Sequence, residues 1–514
     1  MKQIHSFSRL TCLLLLLCVL AGSLASCQQL LYLRYEETEG TTAVGSSAVV
    51  TRDISTPPGL APDFGIHPDK IDSGFSDAAD AVPGLHKEDL NGFSFLVCTV
   101  TEANNTVLPE ETSPLFASYA RRNELITDAY GNTFYCSEDE MANVRKDLAA
   151  SVKAGGDAAS YYADMVEVPA ADAYSLITAG LLLNLRSLPF YTVGTAGTEG
   201  AGFYRNAKNC FDTRAATNSP TDTYCLYCNT ELLGNDTANR LSLAALNDSL
   251  TFETLLTAAQ DAAGNAVPYD ITGNFPAGQF ANLAFVRAGN RYTDQVGGYP
   301  QLTPVLTASE EADALLSSLR ALRWFGFTPA APEIPVDSSA VASSAVAPQP
   351  EPNGYEQFAS GKALFYVGTV GEMESLTAIP HRWGLLPLPK DAPEAENVER
   401  NRSVFCVPAN NTRLEMTGLM LTALDKVSGS WIGKEYASYA VLHCLRDNAS
   451  YFTLCKIFES ASFCDFAELC GAGCKNLTAA TYDAVSAAMV NSAAISATAK
   501  PLQTAVNNAL KKLN

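Results

Sequence analysis

The sequence predicts an α/β fold divided into more than one subdomain, and two observations carry that expectation. From Asn91 to Leu185, short runs of β-branched and aromatic residues alternate with segments whose apolar residues recur at helical spacing. The chain has 514 residues, too many to wrap one small hydrophobic core.

The elements follow in order. Gly92–Val100 reads as a first, buried strand. After a Pro-containing loop, Ser113 to Ala129 reads as a helix with Leu115, Tyr119, Leu125 and Ile126 on its apolar side. A second strand is expected at Asn132–Cys136. Ser137 then reads as an N-cap, with Glu140 completing a capping box. The helix it opens runs through Val144, Leu148 and Val152 to a stop at Gly155-Gly156. Strand Asp164–Val168, a helix over Ala171–Ala179, and the short apolar Leu181–Leu185 complete the alternation. Residues 193–223 read as a Gly-rich and then polar loop, ahead of a strand at Thr223–Cys228. Pro329–Asn353 is Pro/Ala/Ser-rich and reads as a linker or exposed insertion.

Ahead of these elements stands a leader. Lys2 and Arg9 form a basic start, Leu10–Leu20 an apolar run, and Ala21–Ser26 a small-residue cleavage region. The apolar run of about 11 residues is far short of the ~20 that span a bilayer as a helix. Leu24-Ala25-Ser26-Cys27 resembles a bacterial lipobox, which implies cleavage before Cys27 and lipidation of its thiol. Two or more acyl chains anchor a protein stably where one does not. The expected organisation is a signal peptide at 1–26, a flexible tether at 27–88 rich in Thr, Ser, Gly, Pro and Ala, and an ordered domain at 89–514 carrying the insertion at 329–353. The expected location is the extracytoplasmic face of a cell membrane, held by the lipid.

The formal net charge is −21, and the leader removes two positive charges and no acid. So acidic a chain is a poor partner for nucleic acid, whose binding rests on Lys and Arg neutralising phosphates. Of the 14 cysteines, Cys12 and Cys18 lie in the leader, and an odd number remain after Cys27. Export permits disulfides, and Cys455, Cys464, Cys470 and Cys474 form the one dense cluster.

Patterns for catalysis and metal binding are missing. Cys225-Leu226-Tyr227-Cys228 is a C-x-x-C, but on a strand residues three apart point to opposite faces and cannot chelate or pair. The histidines show no H-E-x-x-H spacing, and there is no G-x-S-x-G elbow or P-loop lysine motif. Glu110-Glu111 and Glu310-Glu311 read as solvated rather than as a glycosidase pair. No metal and no cofactor is expected. For binding, strand Leu364–Val367 runs into the Gly-flanked turn Gly368-Thr369-Val370-Gly371, and in open α/β sheets ligands settle beside the carboxyl ends of strands. Gly368 and Thr369 are therefore candidate ligand-binding residues. Trp383, beside Arg382, is the candidate stacking platform for a ligand, and Tyr204, Phe275 and Tyr299, in Gly/Pro-rich stretches, are further candidates. For each, core packing or turn formation is the competing explanation.

Several stretches taken together resemble one family. Ala120-Arg121-Arg122-Asn123-Glu124, Ala154-Gly155-Gly156-Asp157, Ala163-Asp164-Met165-Val166 and Ala179–Leu185 follow one another as in the first lobe of extracellular solute-binding proteins of family 1, which serve carbohydrate ABC importers. Tyr227–Leu233 is similar to the family's N-K-x-L-L segment, with Thr230 in place of Lys, and Thr251–Ala259 to the helix after it. Phe358–Phe365 is similar to F-x-x-G-K-A, Gly384–Lys390 to P-L-P-K, and Leu445–Ser450 to R-D-x-x-S. The resemblance spans about residues 90–510. It implies a two-lobed periplasmic-binding-protein-like fold of type II, with a hinge of crossing strands and C-terminal helices, from Met416 onward, packed across the lobes. It further implies a monomeric, non-enzymatic receptor that captures a small solute, a sugar or oligosaccharide, and presents it to an ABC permease. The alternatives are a secreted lipid-anchored hydrolase, or a solute sensor or surface protein on the same fold.

Overall fold

The computed structural model describes residues 90 to 459 and scattered positions between 500 and 511, with interruptions of which the longest are 108–114, 192–202, 213–219, 303–309 and 325–352. The described residues belong to one compact unit, Asp53–Asn514. The leader, Cys27 and the tether lie outside the described residues, as do nearly all of the 329–353 insertion and most of Thr478–Leu513.

The first lobe opens with β1 (Ser94–Val100), α1 (Phe116–Tyr130), β2 (Thr133–Asp139), α2 (Met141–Ala154), β3 (Met165–Pro169) and α3 (Ala170–Thr178). β1 pairs in parallel with β2 on one side and β3 on the other, and α1 and α2 make the crossovers that parallel strands require. α1 buries Tyr119, Leu125, Ile126 and Tyr130, and α2 buries Val144 and Leu148. Gly131 and Gly155 end these helices at φ 63° and 79°, a backbone that favours glycine because it has no Cβ. The expected cap at Ser137 is corrected: Ser137 is still in β2, and α2 has Glu140 at its N-cap with no side-chain cap bond. Asp139 serves instead, its Oδ1 accepting from the Glu140 N–H and Asn143 Nδ2, both at 2.8 Å. Pairing with β1 carries the strand past Cys136 to Asp139. A second correction concerns 193–223, which is not all loop. β4 (Phe203–Arg205) and β5 (Cys210–Asp212) form a short antiparallel ladder there.

The chain then passes into the second lobe. Its elements are β6 (Tyr224–Asn229), α4 (Thr230–Leu233), α5 (Asn235–Leu246), α6 (Phe252–Ala262), β7 (Tyr269–Gly273), α7 (Ala277–Arg287), the hairpin β8 (Thr293–Val296) and β9 (Tyr299–Leu302), α8 (Glu310–Leu319), α9 (Gly354–Ala359), β10 (Ala363–Thr369), α10 (Met373–Leu376) and β11 (Trp383–Pro387). The sheet order is β11-β6-β10-β7, with β10 parallel to β7 and antiparallel to β6. β6 and β10 are buried along their whole length, the mark of strands covered on both faces.

β12 (Ser403–Cys406) returns to the first lobe, closing a six-stranded sheet of order β2-β1-β3-β12-β5-β4. The long α11 (Leu414–His443) then lies on α1, where Arg122 Nη1 donates to Ser428 Oγ at 3.0 Å. α12 (Asn448–Glu459) packs on β11 of the second lobe, where Leu385 N–H donates to Ser450 Oγ at 2.8 Å. The C-terminal helices thus pack across both lobes, as the resemblance implied. Among the described residues no helix is long and apolar enough to cross a membrane.

Candidate functional site

Strand direction fixes where a site can form. β7 and β10 end at the same edge of the second sheet, and β6 starts there, with Tyr224 opposite Thr369. In the first sheet β3 ends at Pro169, opposite Ser403 at the start of β12. The chain crosses between sheets just ahead of Tyr224 and again just ahead of Ser403. The crossings touch: Thr223 bridges Glu399, Tyr224 N–H donates to Val398 O at 2.8 Å, and Arg400 N–H donates to Asp222 O at 2.9 Å. The carboxyl ends of the parallel strands in both sheets therefore converge on the crossings, where ligands settle in open α/β sheets.

That convergence is polar. On the second crossing, Arg400 reaches Asp222 Oδ1 at 3.3 Å and Glu372 Oε1 at 3.0 Å. The other Glu372 oxygen, Oε2, accepts the Tyr366 hydroxyl. Asn274 Nδ2 donates to the same hydroxyl at 2.9 Å, and Asn274 Oδ1 accepts the Tyr355 N–H at 3.0 Å. Burial pushes the Asp222 carboxyl above its ordinary value, Arg400 opposes that, and Glu372 adds to it. From the first lobe, Glu167 is fully buried on β3, and Thr99 Oγ1 donates to its Oε2 at 3.5 Å. Arg122 is equally buried, its guanidinium on Asn123 Oδ1 at 2.9 and 3.1 Å and 4.9 Å above the Tyr119 ring. Burial lowers its pKa to about 10, with Tyr119 and Glu167 acting the other way. The Tyr119 phenol is pushed up by burial against the pull of Arg122, and Glu167, Asp222 and Glu399 push it the same way as burial. Charges of the first lobe and of the crossings thus share one neighbourhood.

The sequence candidates divide. Gly368 and Thr369 lie at the convergent edge, but neither is open to solvent as a ligand contact. Thr369 is 1% exposed, its carbonyl accepts the Tyr227 hydroxyl at 2.8 Å, and its Oγ1 is buried without a partner. At Gly368 a Cβ would come within 2.6 Å of Glu372 Oε2 and 2.7 Å of Tyr366 Cε1. The missing side chain makes room for the Tyr366–Glu372 pair.

Trp383 and Arg382 lie away from this edge. Trp383 pairs with Asn229, at the end of β6, so both residues lie at the opposite edge of the sheet. Trp383 is 1% exposed, its indole N–H donates to Leu376 O at 2.9 Å, and its ring meets Tyr227 edge-on at 5.5 Å. No ring face is free to stack on a sugar. Arg382 is exposed, and its Nε lies 3.7 Å from Glu231 Oε1. Tyr204 and Tyr299 stand in strands β4 and β9 rather than in loops, and their side chains lie outside the described residues, as does all of Phe275.

The cysteine reading holds on geometry. Cys225 and Cys228 lie on β6 in separate core clusters, on opposite faces of the sheet. Burial pushes the Cys228 thiol up to about 12. Of the C-terminal cysteine cluster only Cys455 is described. Among the described residues no group of three or more His, Cys, Asp or Glu could hold a metal ion. A depression of about 240 Å³ on the second lobe is lined only by α5 and α6, including Thr237, Arg240, Glu253 and Thr257.

Sequence reading missed Asp222, Asn274, Glu372, Glu399 and Arg400. Each stands in a turn or crossing, where a polar residue reads as solvated. The signal that could have found one was Gly371-Glu372, directly after the Gly-flanked turn already singled out.

No family model matches the chain, and no curated protein matches it in sequence. Solved structures similar to it include M. tuberculosis UspC, at 12% identity and a TM-score of 0.49 over 81% of this chain and 100% of that one. A cyclic α-maltosyl-1,6-maltose binding protein from Arthrobacter globiformis matches at 13% identity and 0.47 over 82% and 99%. An extracellular solute-binding protein of family 1 from Alicyclobacillus acidocaldarius matches at 10% and 0.46 over 82% and 99%. The last belongs to the class that the sequence motifs resemble. The two-lobed α/β fold stands on this chain's own crossings and strand order.

Proposed function

We propose that this protein is a lipid-anchored receptor that captures a small solute between its lobes, a sugar or oligosaccharide, and delivers it to an ABC permease. The observation that supports this best is the convergence of both sheets' carboxyl edges on a pair of bridged crossings. Such a joint permits closure about a few residues, and the polar groups around it suit a hydroxyl-rich ligand. Capture and closure need no covalent step, so the protein acts as a receptor rather than an enzyme. The motif resemblance supports the carbohydrate class and the permease, and Leu24–Cys27 supports the anchor. The anchor keeps the cleft within reach of its permease, and the tether gives it slack.

The test is a thermal-shift screen of residues 28–514 against monosaccharides, oligosaccharides, peptides and polyamines. Ligand at 100 times its Kd adds about 2.7 kcal/mol to stability, so an upshift is expected with one saccharide class alone. A flat response to every class would sink the receptor reading. For the anchor, Cys27→Ser in a bacterial host should move the protein from the membrane fraction to the soluble one; continued membrane retention would refute lipidation at Cys27.

A further inference from the structure

Arg400 joins the two crossings to the turn that follows β10. Asp222 is on the first crossing, Arg400 on the second, and Glu372 on the turn, and the guanidinium spans the two acids at 3.3 and 3.0 Å. The turn is also pressed onto the first crossing: a Cβ at Gly371 would lie 3.0 Å from Thr221 Cβ and 3.2 Å from Thr221 O. Both Gly368 and Gly371 are thus needed small, one so that Glu372 can fold back over its own strand, the other so that the turn can reach the crossing. The chain of contacts continues outward. Glu372 takes the Tyr366 hydroxyl, that hydroxyl takes Asn274 Nδ2, and Asn274 is exposed at the carboxyl end of β7.

We propose that Asp222, Arg400 and Glu372 form a clasp that holds the crossings against the second lobe, and that Tyr366 and Asn274 couple this clasp to ligand. The inference rests on the receptor reading for its ligand, but the clasp itself acts in the unliganded protein. While Arg400 is held by both acids, movement of the crossings against the second lobe must break one of its charge-assisted bonds. A ligand hydroxyl that takes over Asn274 or the Tyr366 hydroxyl changes what Glu372 Oε2 accepts, and so changes the grip of Glu372 on Arg400. In the first lobe Tyr119 feels Asp222 and Glu399 of the crossings as well as Arg122 and Glu167, which gives the freed crossing charges a second set of neighbours.

The clasp is testable without knowing the ligand. Ketone-bearing residues placed at the exposed positions Lys146 and Leu243 accept a fluorophore pair, one on each lobe, without touching the native thiols. Energy transfer in the ligand-free protein then reports the distribution of lobe separations. Arg400→Met and Glu372→Gln should each shift the ratio of the two lobe arrangements about threefold in the same direction, the size expected of a partly exposed ion-pair network. Tyr366→Phe should leave the ligand-free ratio nearer to wild type and blunt the change caused by whichever saccharide gives a thermal shift. Should Arg400→Met fail to fold, Glu372→Gln decides the matter, since it keeps an acceptor for Tyr366 and removes only the charge. Wild-type distributions in the folded variants would overturn the clasp while leaving the receptor reading intact. A missing saccharide response with shifted distributions would do the reverse.

Discussion

The two lobes differ in what they bury at the centre of their sheets. The first keeps charge inside: Asp164, Glu167 and Arg122 are all at 0% exposure. Asp164 accepts the Leu96 N–H at 2.8 Å and Arg413 Nη2 at 2.5 Å, tying β1 to the segment that enters α11. The second buries Arg287 and Asp270 as well, at 3% and 5% exposure, but its sheet centre is aromatic, with Trp383, Tyr227, Tyr366 and Phe358 in a chain of ring contacts and the Arg400–Glu372 pair at the edge. Those four rings are thus spent on the core of the second lobe. What that lobe offers at the crossings is hydroxyl, amide and carboxylate.

The largest expected effect tests the aromatic side of this contrast. Trp383→Ala removes a ring that touches Tyr227 and anchors Leu376, and should cost about 4 kcal/mol, read as a loss of denaturant midpoint. Trp383→Phe keeps most of the packing, so any ligand response should persist. A Trp383→Phe protein of near-normal stability that loses the response would return Trp383 to the ligand site. Next comes the charged side. Asp164→Ala leaves Arg413 facing a hole, and about 3 kcal/mol should be lost, less than for a wholly buried pair because Arg413 is 29% exposed. The exposed pair Arg240–Asp261 supplies the contrast, at 61% and 47% exposure; removing it should cost under about 1 kcal/mol. Equal losses at the two pairs would erase the distinction between stored and surface charge. Below the Asp164 substitution comes Gly368→Ala, whose methyl group meets the Tyr366–Glu372 pair. Overpacking of this kind costs about 1–3 kcal/mol, at the low end here because Glu372 can swing aside. That swing should also lower any saccharide affinity, and an unchanged affinity would detach Gly368 from the site.

How far the sequence could be read follows from the same contrast. Strands with strong local patterns were legible: β1, β3, β6 and β10 fall within a residue or two of where their apolar runs place them. The α2 cap was not, because a capping box describes a local bond, and β1 pulled Ser137 into the ladder instead. Gly368 and Thr369 were legible as an edge, since a strand running into a Gly-flanked turn has a definite carboxyl end. Trp383 was misjudged because sequence gives no strand direction relative to a partner. Only the antiparallel pairing with β6 puts it at the far edge. Asp222 and Arg400 are 178 residues apart, and nothing local in either stretch announces the other.

The smallest effect concerns His381, which sits ahead of β11 at that far edge. Its ring meets Phe358 edge-on at 5.2 Å, its Nε2 is buried without a hydrogen-bond partner among the described residues, and its carbonyl accepts Arg446 Nη1 at 2.7 Å. Burial pushes its pKa below the ordinary value; Glu231 opposes that, and Arg446 reinforces it. The folded protein therefore prefers the neutral imidazole. The unfolded chain takes up its proton near the ordinary pH of about 6.5. The stabilising contribution is thus complete above that pH and is lost as the pH falls toward the lowered folded value. Melting of wild type should drop more steeply from pH 7.5 to 5.5 than melting of His381→Leu, which carries no proton to gain. Parallel profiles would mean that His381 can take up a proton in place, with Glu231 outweighing both burial and Arg446. The second lobe would then tolerate charge among its aromatic rings much as the first tolerates it in its core.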